Sequence, residues 1–323
     1  MFLNIIFSYN RAMQLDYLLK SILHRFKVDN YSIAIIYHTT NDHYKGYDFL
    51  KEKYKDYQFI KFYERREGFD LGILPALNCR THLKFFNQYH FKNKRRDNFK
   101  GLLEGLLKNT SCEFVMFDTD DGFFKSDFIL NSEVLNLIRN NKKQVSYRNY
   151  IGENTEGFPE YVKNWGNFKL WDYYYDQAKI THWSYPFSVD GTIYNTKGIL
   201  SIIRKVAYHN PITLEDKVFH YVKRNKLLAI GLGPKESILN GTVLNRVSVD
   251  TSNPALNIDI NFLNTKFIDG YELELKFPED RSQVNIVPEL IILRKGNIVE
   301  KVYEIDDFGK SIQNKFGPEG SKK

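Results

Sequence analysis

Residues 114–124, FVMFDTDDGFF, constrain this chain more than any other stretch. Phe114, Val115, Met116 and Phe117 make a short apolar run of the kind that becomes a buried strand in a parallel sheet, and it stops at Asp118, Thr119, Asp120 and Asp121. In open α/β sheets the ligand crevice lies beyond the carboxyl ends of the strands, so this order hands three carboxylates to the edge where such a fold does its chemistry. Crowded carboxylates repel one another unless a cation compensates, and hard divalent cations favour oxygen ligands shared with phosphates. A metal and diphosphate site is one reading. A solvated acidic turn closing on Asp121 and Gly122 is the other.

The segments before it repeat one pattern. Residues 2–7 (FLNIIF) predict a buried strand that exits through Ser8, Tyr9, Asn10 and Arg11 into a helix marked by Met13, Leu15, Leu18, Leu19 and Ile22. A second strand at 32–37 ends in His38, Thr39, Thr40, Asn41 and Asp42, and a third is expected at 59–63 after a helix over 49–54. A helix over 98–107 leads into the acidic strand. Strands alternating with helices, each with a polar exit, predict an α/β fold with a mostly parallel, Rossmann-like sheet flanked by helices.

Beyond the acidic turn the spacing predicts a helix over 128–138, a short strand at 145–147, a strand over 187–194 interrupted at Asp190 and Gly191, and a helix over 196–206. Thr213 is a suitable cap for a further helix, which would put Glu215 and Asp216 in its first turn, either as partners of the helix dipole or as reactive acids. Residues 161–185 hold all three tryptophans, Trp165, Trp171 and Trp183, with Tyr173, Tyr174, Tyr175 and Tyr185. Such a cluster is either an aromatic satellite core or a surface on which sugar rings stack. A boundary is expected near 251, dividing a domain over 1–250 (halves 1–121 and 122–250) from a smaller β-rich extension, 251–323, with a disordered tail.

The 323 residues suffice for a substantial core, and the net charge of +7 favours anionic partners without choosing among them. The densest basic run, 92–96 (KNKRR), is either an anion-contacting or a merely solvated loop. With only Cys79 and Cys112, and no run of membrane-spanning length, a cytoplasmic protein is expected, its charge compatible with peripheral contact at an anionic inner membrane face.

Taken together, residues 4–11 (NIIFSYNR), the DxD-like turn 118–121 and the LED triplet 214–216 resemble the GT-A fold nucleotide-sugar glycosyltransferases, particularly the bacterial family 2-like enzymes that build surface polysaccharides. The resemblance covers about residues 1–250, and 244–247 (LNRV) is similar to the closing segment of some members. It implies that Ser8, Tyr9 and Arg11 hold the donor nucleoside, and that Asp118 and Asp120 bind ribose and, through Mn²⁺ or Mg²⁺, the diphosphate, with Asp121 as an extra ligand. Asp216 would be the base of an inverting transfer and Glu215 the second choice, with Asp190, Trp183 and Tyr185 at the sugar or acceptor. The acid that reads the base at the second strand's exit has Asp42 as its nearest counterpart. The implied partners are a nucleotide-sugar donor, a UDP-sugar first, and a glycan or lipid-linked glycan acceptor, and not nucleic acid.

Two other classes compete. A sugar nucleotidyltransferase would share the sheet and the acids, but SYNR lacks the glycine-rich phosphate loop of that class. A non-catalytic carbohydrate-binding protein explains the aromatics and the charge, but not a buried strand that delivers three aspartates.

Overall fold

The apolar runs at the start of the chain become strands because their side chains are buried on both faces of a sheet. β1 (Phe2–Tyr9), β2 (Tyr31–His38) and β3 (Ile60–Glu64) alternate with α1 (Ala12–Arg25) and α2 (Tyr44–Lys53), and α3 (Phe99–Asn109) leads into β4 (Phe114–Thr119). Then come β5 (Gly122–Phe124), α4 (Ser132–Asn140), β6 (Val145–Arg148), β7 (Lys163–Trp165), β8 (Phe168–Asp172), β9 (Thr192–Asn195), α5 (Thr196–Ile203), α6 (Pro211–Asn225), β10 (Ile230–Pro234) and β11 (Leu239–Thr242). The chain closes with α7 (Ile260–Ile268), β12 (Glu272–Lys276), β13 (Asn285–Ile286), β14 (Leu290–Lys295), β15 (Ile298–Ile305) and β16 (Ser311–Gln313). The computed structural model describes residues 2–40, 42–66, 97–155, 157–176, 178, 180–242, 244–245, 255–278, 285–305 and 311–313. Cys79, the basic run 92–96, the boundary near 251 and the tail from 317 lie outside the described residues.

Among those residues the main sheet has nine strands in the order β3-β2-β1-β4-β9-β6-β10-β8-β7. β1 pairs in parallel with β2 and β4, β2 with β3 and β6 with β10, while β9 is antiparallel to β4 and β6 and β8 to β10 and β7. The sheet is therefore mostly parallel and flanked by helices, as the alternation of strand and helix predicts. A smaller antiparallel sheet, β12-β14-β15-β16, gives the expected β-rich C-terminal part.

Side-chain alternation along β1 divides the core in two. Phe2 and Ile6 meet α1 through Leu15, Leu18 and Leu19, while Leu3, Ile5 and Phe7 meet α3 through Phe99 and Leu103. Leu273, Ile291, Leu293 and Tyr303 of the C-terminal sheet belong to the same cluster as Leu15 and Leu19. The buried Asp16 of α1 anchors that contact: the Tyr54 hydroxyl donates to it at 2.9 Å, and Lys20 and Lys53 bridge it to Glu272 of β12.

Several elements differ from the sequence reading for local reasons. α4 starts at Ser132 because Asn131 caps it, its side chain accepting from Glu133 and Val134 amides. The 187–194 alternation becomes a strand only from Thr192, because Gly191 sits at φ +58° and a Cβ there would come within 2.2 Å of Leu239. The glycine-rich segment at β10 reads as punctuation, yet Gly231 is what lets the Trp171 ring lie on the sheet, 2.1 Å from where a Cβ would be. No described helix is long and apolar enough to cross a membrane.

Candidate active site

β1 and β4 are parallel neighbours, so their carboxyl ends release polar side chains at one edge. Asp120 is the hub there: Oδ2 accepts from Ser8 Oγ at 2.8 Å and from the Tyr9 amide at 2.9 Å, and Oδ1 accepts from Arg11 Nη1 at 3.0 Å. The same nitrogen reaches Asp121 Oδ2 at 2.9 Å. Arg11 is otherwise committed to Asn245, Nε donating to Oδ1 at 2.9 Å and Nη2 to the backbone carbonyl at 2.6 Å. The resemblance assigned Ser8, Tyr9, Arg11, Asp120 and Asp121 to one place, and the structure brings them together. Burial lowers the Arg11 pKa, yet Asp120 and Asp121 outweigh it and raise it further. Burial pushes Asp120 up to about 6 against the opposing pull of Arg11.

Asp118 is deeper. Asn4 Nδ2 donates to its Oδ2 at 2.8 Å, it is 1% exposed, and burial raises its pKa well above the ordinary range. As arranged, these acids do not fit the divalent cation that the pattern implies. Asp118 faces inward onto Asn4, Asp120 is occupied by three donors, and Arg11 holds the charge position between Asp120 and Asp121. Among the described residues no group of three or more His, Cys, Asp or Glu is disposed to hold a metal.

Beside the hub, the Tyr9 ring stacks on His38 of β2, with centroids 5.3 Å apart and planes 8° from parallel. Asn10 takes the left-handed conformation, φ 56°, and its side chain exchanges hydrogen bonds with Thr40, tying the two strand exits into one shelf. Asp42 is exposed at the head of α2, where its carbonyl accepts from Asn264 of α7.

Two further acids come to the acidic turn from the segment before β9 and from α6. Asp190 Oδ1 accepts from Thr119 Oγ1 at 2.9 Å, which places it against the acidic turn, and Glu215 Oε1 accepts from the Val189 amide at 3.2 Å. Asp190 and Glu215 each keep some accessible surface, as expected of groups on a cleft floor, while the protein around them shifts both upward. Burial and then the charge of Asp121 take Asp190 to about 6; burial and then Asp190 take Glu215 to about 7.

Three expectations change here. Asn210, not Thr213, caps α6: its side chain accepts from the Thr213 amide at 2.7 Å and Pro211 opens the helix. Glu215 and Asp216 therefore stand in the second turn, and no acid occupies the first. Asp216 turns toward Lys217 at 2.7 Å and His220 at 3.2 Å with its side chain 47% exposed, whereas Glu215 lies against the Val189 amide. Trp183 is 1% exposed and packs edge-on against Trp171 with centroids 5.0 Å apart, and both rings belong to the same core cluster as Leu15 and Leu19, neither a satellite core nor a sugar-stacking surface. Tyr185 is partly exposed and stacks on Phe219 at 4.4 Å.

Sequence reasoning gave no role to Asn4 or Asn245, although both lie in the segments 4–11 and 244–247 that carry the resemblance, and it did not single out Arg148. Asn4 carried a signal, since it shares the face of β1 with Ser8 by strand parity. Asn245 reaches Arg11 across 234 residues, which no local pattern encodes.

No protein-family model and no curated protein matches the chain. Solved structures similar to it include TarS of S. aureus in complex with UDP, at 12% identity over 83% of this chain and 64% of that one, with a TM-score of 0.39. WbbM, a bifunctional glycosyltransferase solved in its apo form, is similar at 14% identity over 67% and 37%, with a TM-score of 0.34. An active-site mutant of LgtC is similar at 12% identity over 70% and 65%, with a TM-score of 0.33. This chain spans less than two thirds of each of those chains. Likeness this distant adds no weight to any residue's role, which rests on the contacts above.

Proposed function

We propose that this protein is a glycosyltransferase that moves a sugar from a nucleoside diphosphate to a hydroxyl of a saccharide or lipid-linked saccharide, as in surface polysaccharide synthesis. The observation that carries the reading is the convergence of Ser8, Tyr9 and Arg11 from the β1 exit, Asp118 to Asp121 from the β4 exit, and Asp190 and Glu215 from the facing turn and helix. The Tyr9 and His38 shelf suits a nucleobase, which stacks on flat rings. Glu215 suits an inverting transfer: the acceptor oxygen bonds to the anomeric carbon, the carbon–oxygen bond to the diphosphate breaks with its electron pair going to the leaving group, and the hydroxyl proton passes to Glu215. A base needs a pKa near the working pH, and Glu215 at about 7 meets that condition. No step is assigned to a metal. The test is a donor screen that measures nucleoside diphosphate release from common UDP-, GDP- and dTDP-sugars, with Mn²⁺ or Mg²⁺ added and with chelator. Slow hydrolysis of one donor without acceptor supports the reading. Release from none, with no thermal stabilisation by any of the three nucleoside diphosphates, removes it.

A further inference from the structure

Arg148, at the end of β6, is a charge that the reaction above does not use. It is 2% exposed, and among the described residues no carboxylate is hydrogen-bonded to it. Nη1 donates to the Tyr185 carbonyl at 2.8 Å and reaches the His182 carbonyl at 3.4 Å, and the guanidinium also hydrogen-bonds the Tyr173 hydroxyl, while Nε is buried with no partner. A buried cation with only neutral acceptors is costly, so its retention asks what negative charge it answers.

The topology identifies the neighbourhood. Arg148 stands in register with Thr192 of β9, two residues beyond Asp190, and the next residue, Asn149, binds the Gly191 carbonyl through both its amide and its side chain. The stretch that carries Asp190 also supplies the Val189 amide to Glu215. The titratable groups whose charges act on one another here are Asp190 on that turn, Glu215 and Asp216 on α6, the phenols of Tyr150 and Tyr185, Tyr173 after β8 and Tyr194 on β9, with His182 on the 182–185 turn and Asp121 beyond Asp190. Arg148 is the one cation among them. The phenols are held neutral by burial, and burial together with Arg148 disfavours a charged His182. The negative charge that Arg148 answers must then come from the carboxyls.

We propose that Arg148 is a positioning residue for the transfer: its buried guanidinium supplies the counter-charge that lets Glu215 ionise beside Asp190, and its grip on the Tyr185 carbonyl holds that ring at the rim of the same cleft. The inference rests on Glu215 as proton acceptor, but it is tested without substrate. Two carboxyls of like charge, taken out of water, favour sharing a proton, and a fixed cation behind them offsets part of that preference. Removing the cation leaves Glu215 protonated at neutral pH, and the base is lost although its position is kept.

The test is a pH titration of ¹³C-labelled glutamate carboxyls by NMR, with Glu215 assigned from its absence in Glu215→Gln. In the unaltered protein the Glu215 signal should titrate near neutrality; a carboxyl still protonated at about pH 9 would overturn the inference before any variant is made. In Arg148→Met the midpoint should rise by about one pH unit or more, and in Arg148→Lys, which keeps the charge, by less than half of that. An unmoved midpoint in a folded Arg148→Met overturns the proposal, and if that variant does not fold, an Arg148→Lys midpoint raised as far as a loss of charge requires does the same. Where the donor screen finds a substrate, kcat of Arg148→Met should fall about tenfold at pH 7 and recover at higher pH with KM little changed. A loss that is the same at every pH would mark a structural role only. A failed donor screen leaves the NMR result standing, so the two ideas fail separately.

Discussion

The two acidic groups that face each other across this cleft deal with crowded carboxylates in opposite ways. At the β4 exit the acids are neutralised by contact: Asp120 takes Ser8, the Tyr9 amide and Arg11, and Asp121 shares Arg11. Across the cleft, the donors to Asp190 and Glu215 are neutral, Thr119 for the first and the Val189 amide and Ser188 for the second, and Arg148, the cation whose charge acts on both, does not touch them. The first group is a joint that ties β1, β4 and Asn245 together, although burial raises its Asp120 to about 6; the second lacks such ties, and burial raises Asp190 to about 6 and Glu215 to about 7. Acids that look alike in sequence are thereby divided between holding the site and operating in it.

The largest effect expected from this contrast is on stability at the joint. Breaking a buried pair by removing one partner costs about 3–5 kcal/mol, so Arg11→Met should lower the denaturation midpoint strongly, and Asp120→Asn, which keeps some hydrogen bonds, less. Chemical denaturation at constant m-value measures it. Asp120→Asn indistinguishable from the unaltered protein would mean that Asp120 is poised for a ligand and not a joint. This reverses the simplest expectation from sequence, in which removing one of three crowded charges relieves repulsion.

Next is the response to metal. If Arg11 holds the cation's position, the affinity of whichever nucleoside diphosphate binds should change less than about tenfold, roughly 1.4 kcal/mol, between chelator and excess Mn²⁺. Calorimetric titration measures it, and binding seen only with Mn²⁺ would require Arg11 to release Asp120 or Asp121.

A smaller effect is the pH dependence of stability. For Glu215 the folded state binds its proton more tightly than the unfolded chain, about 7 against an ordinary 4.5, so stability falls as pH rises from about 4.5 to about 7 and is flat above. Asp190 and Asp120, raised to about 6 from 3.8, act in the same direction over a lower window. Glu215→Gln should flatten the upper part of that slope in thermal melts and be the more stable protein at pH 8. A slope unaffected by the substitution would place the titration elsewhere.

The smallest effect is at the C-terminal sheet. Hydrogen bonds from Lys20 and Lys53 hold Glu272 down to about 2, so its contribution is present above an ordinary 4.5 and is lost as pH falls toward 2. Its side chain is 51% exposed, so screening keeps Glu272→Gln below about 1 kcal/mol at pH 7.

What the sequence revealed follows the range of its signals. Strand and helix periodicity is local, so β1 to β4 and the helices between them were legible to within a few residues, and with them the meeting of Ser8, Arg11 and Asp120 at one edge, but not the pairing of Arg11 with Asp120. β7, β8 and β10 were not, because a glycine-rich strand under Trp171 reads as a turn until the ring is seen lying on it. The rank of Glu215 and Asp216 turned on tertiary contacts: Glu215 accepts from the Val189 amide, whereas Asp216 is exposed beside Lys217 and His220, and neither the contact nor the exposure is written in the local pattern. Arg148 gave no signal at all, since a lone arginine after a short strand is ordinary until its burial is known.

The central claim is that Glu215, on the proton-exchanging side of the cleft, is the acid that operates. Turnover of Glu215→Gln and Asp216→Asn, measured side by side as nucleoside diphosphate release with a saturating donor and acceptor, tests it most directly. The account predicts a loss of about 10²- to 10⁴-fold for Glu215→Gln with donor affinity retained, and less than about tenfold for Asp216→Asn. The reverse order, or near-normal turnover in both together with retention of anomeric configuration in the product, would contradict it.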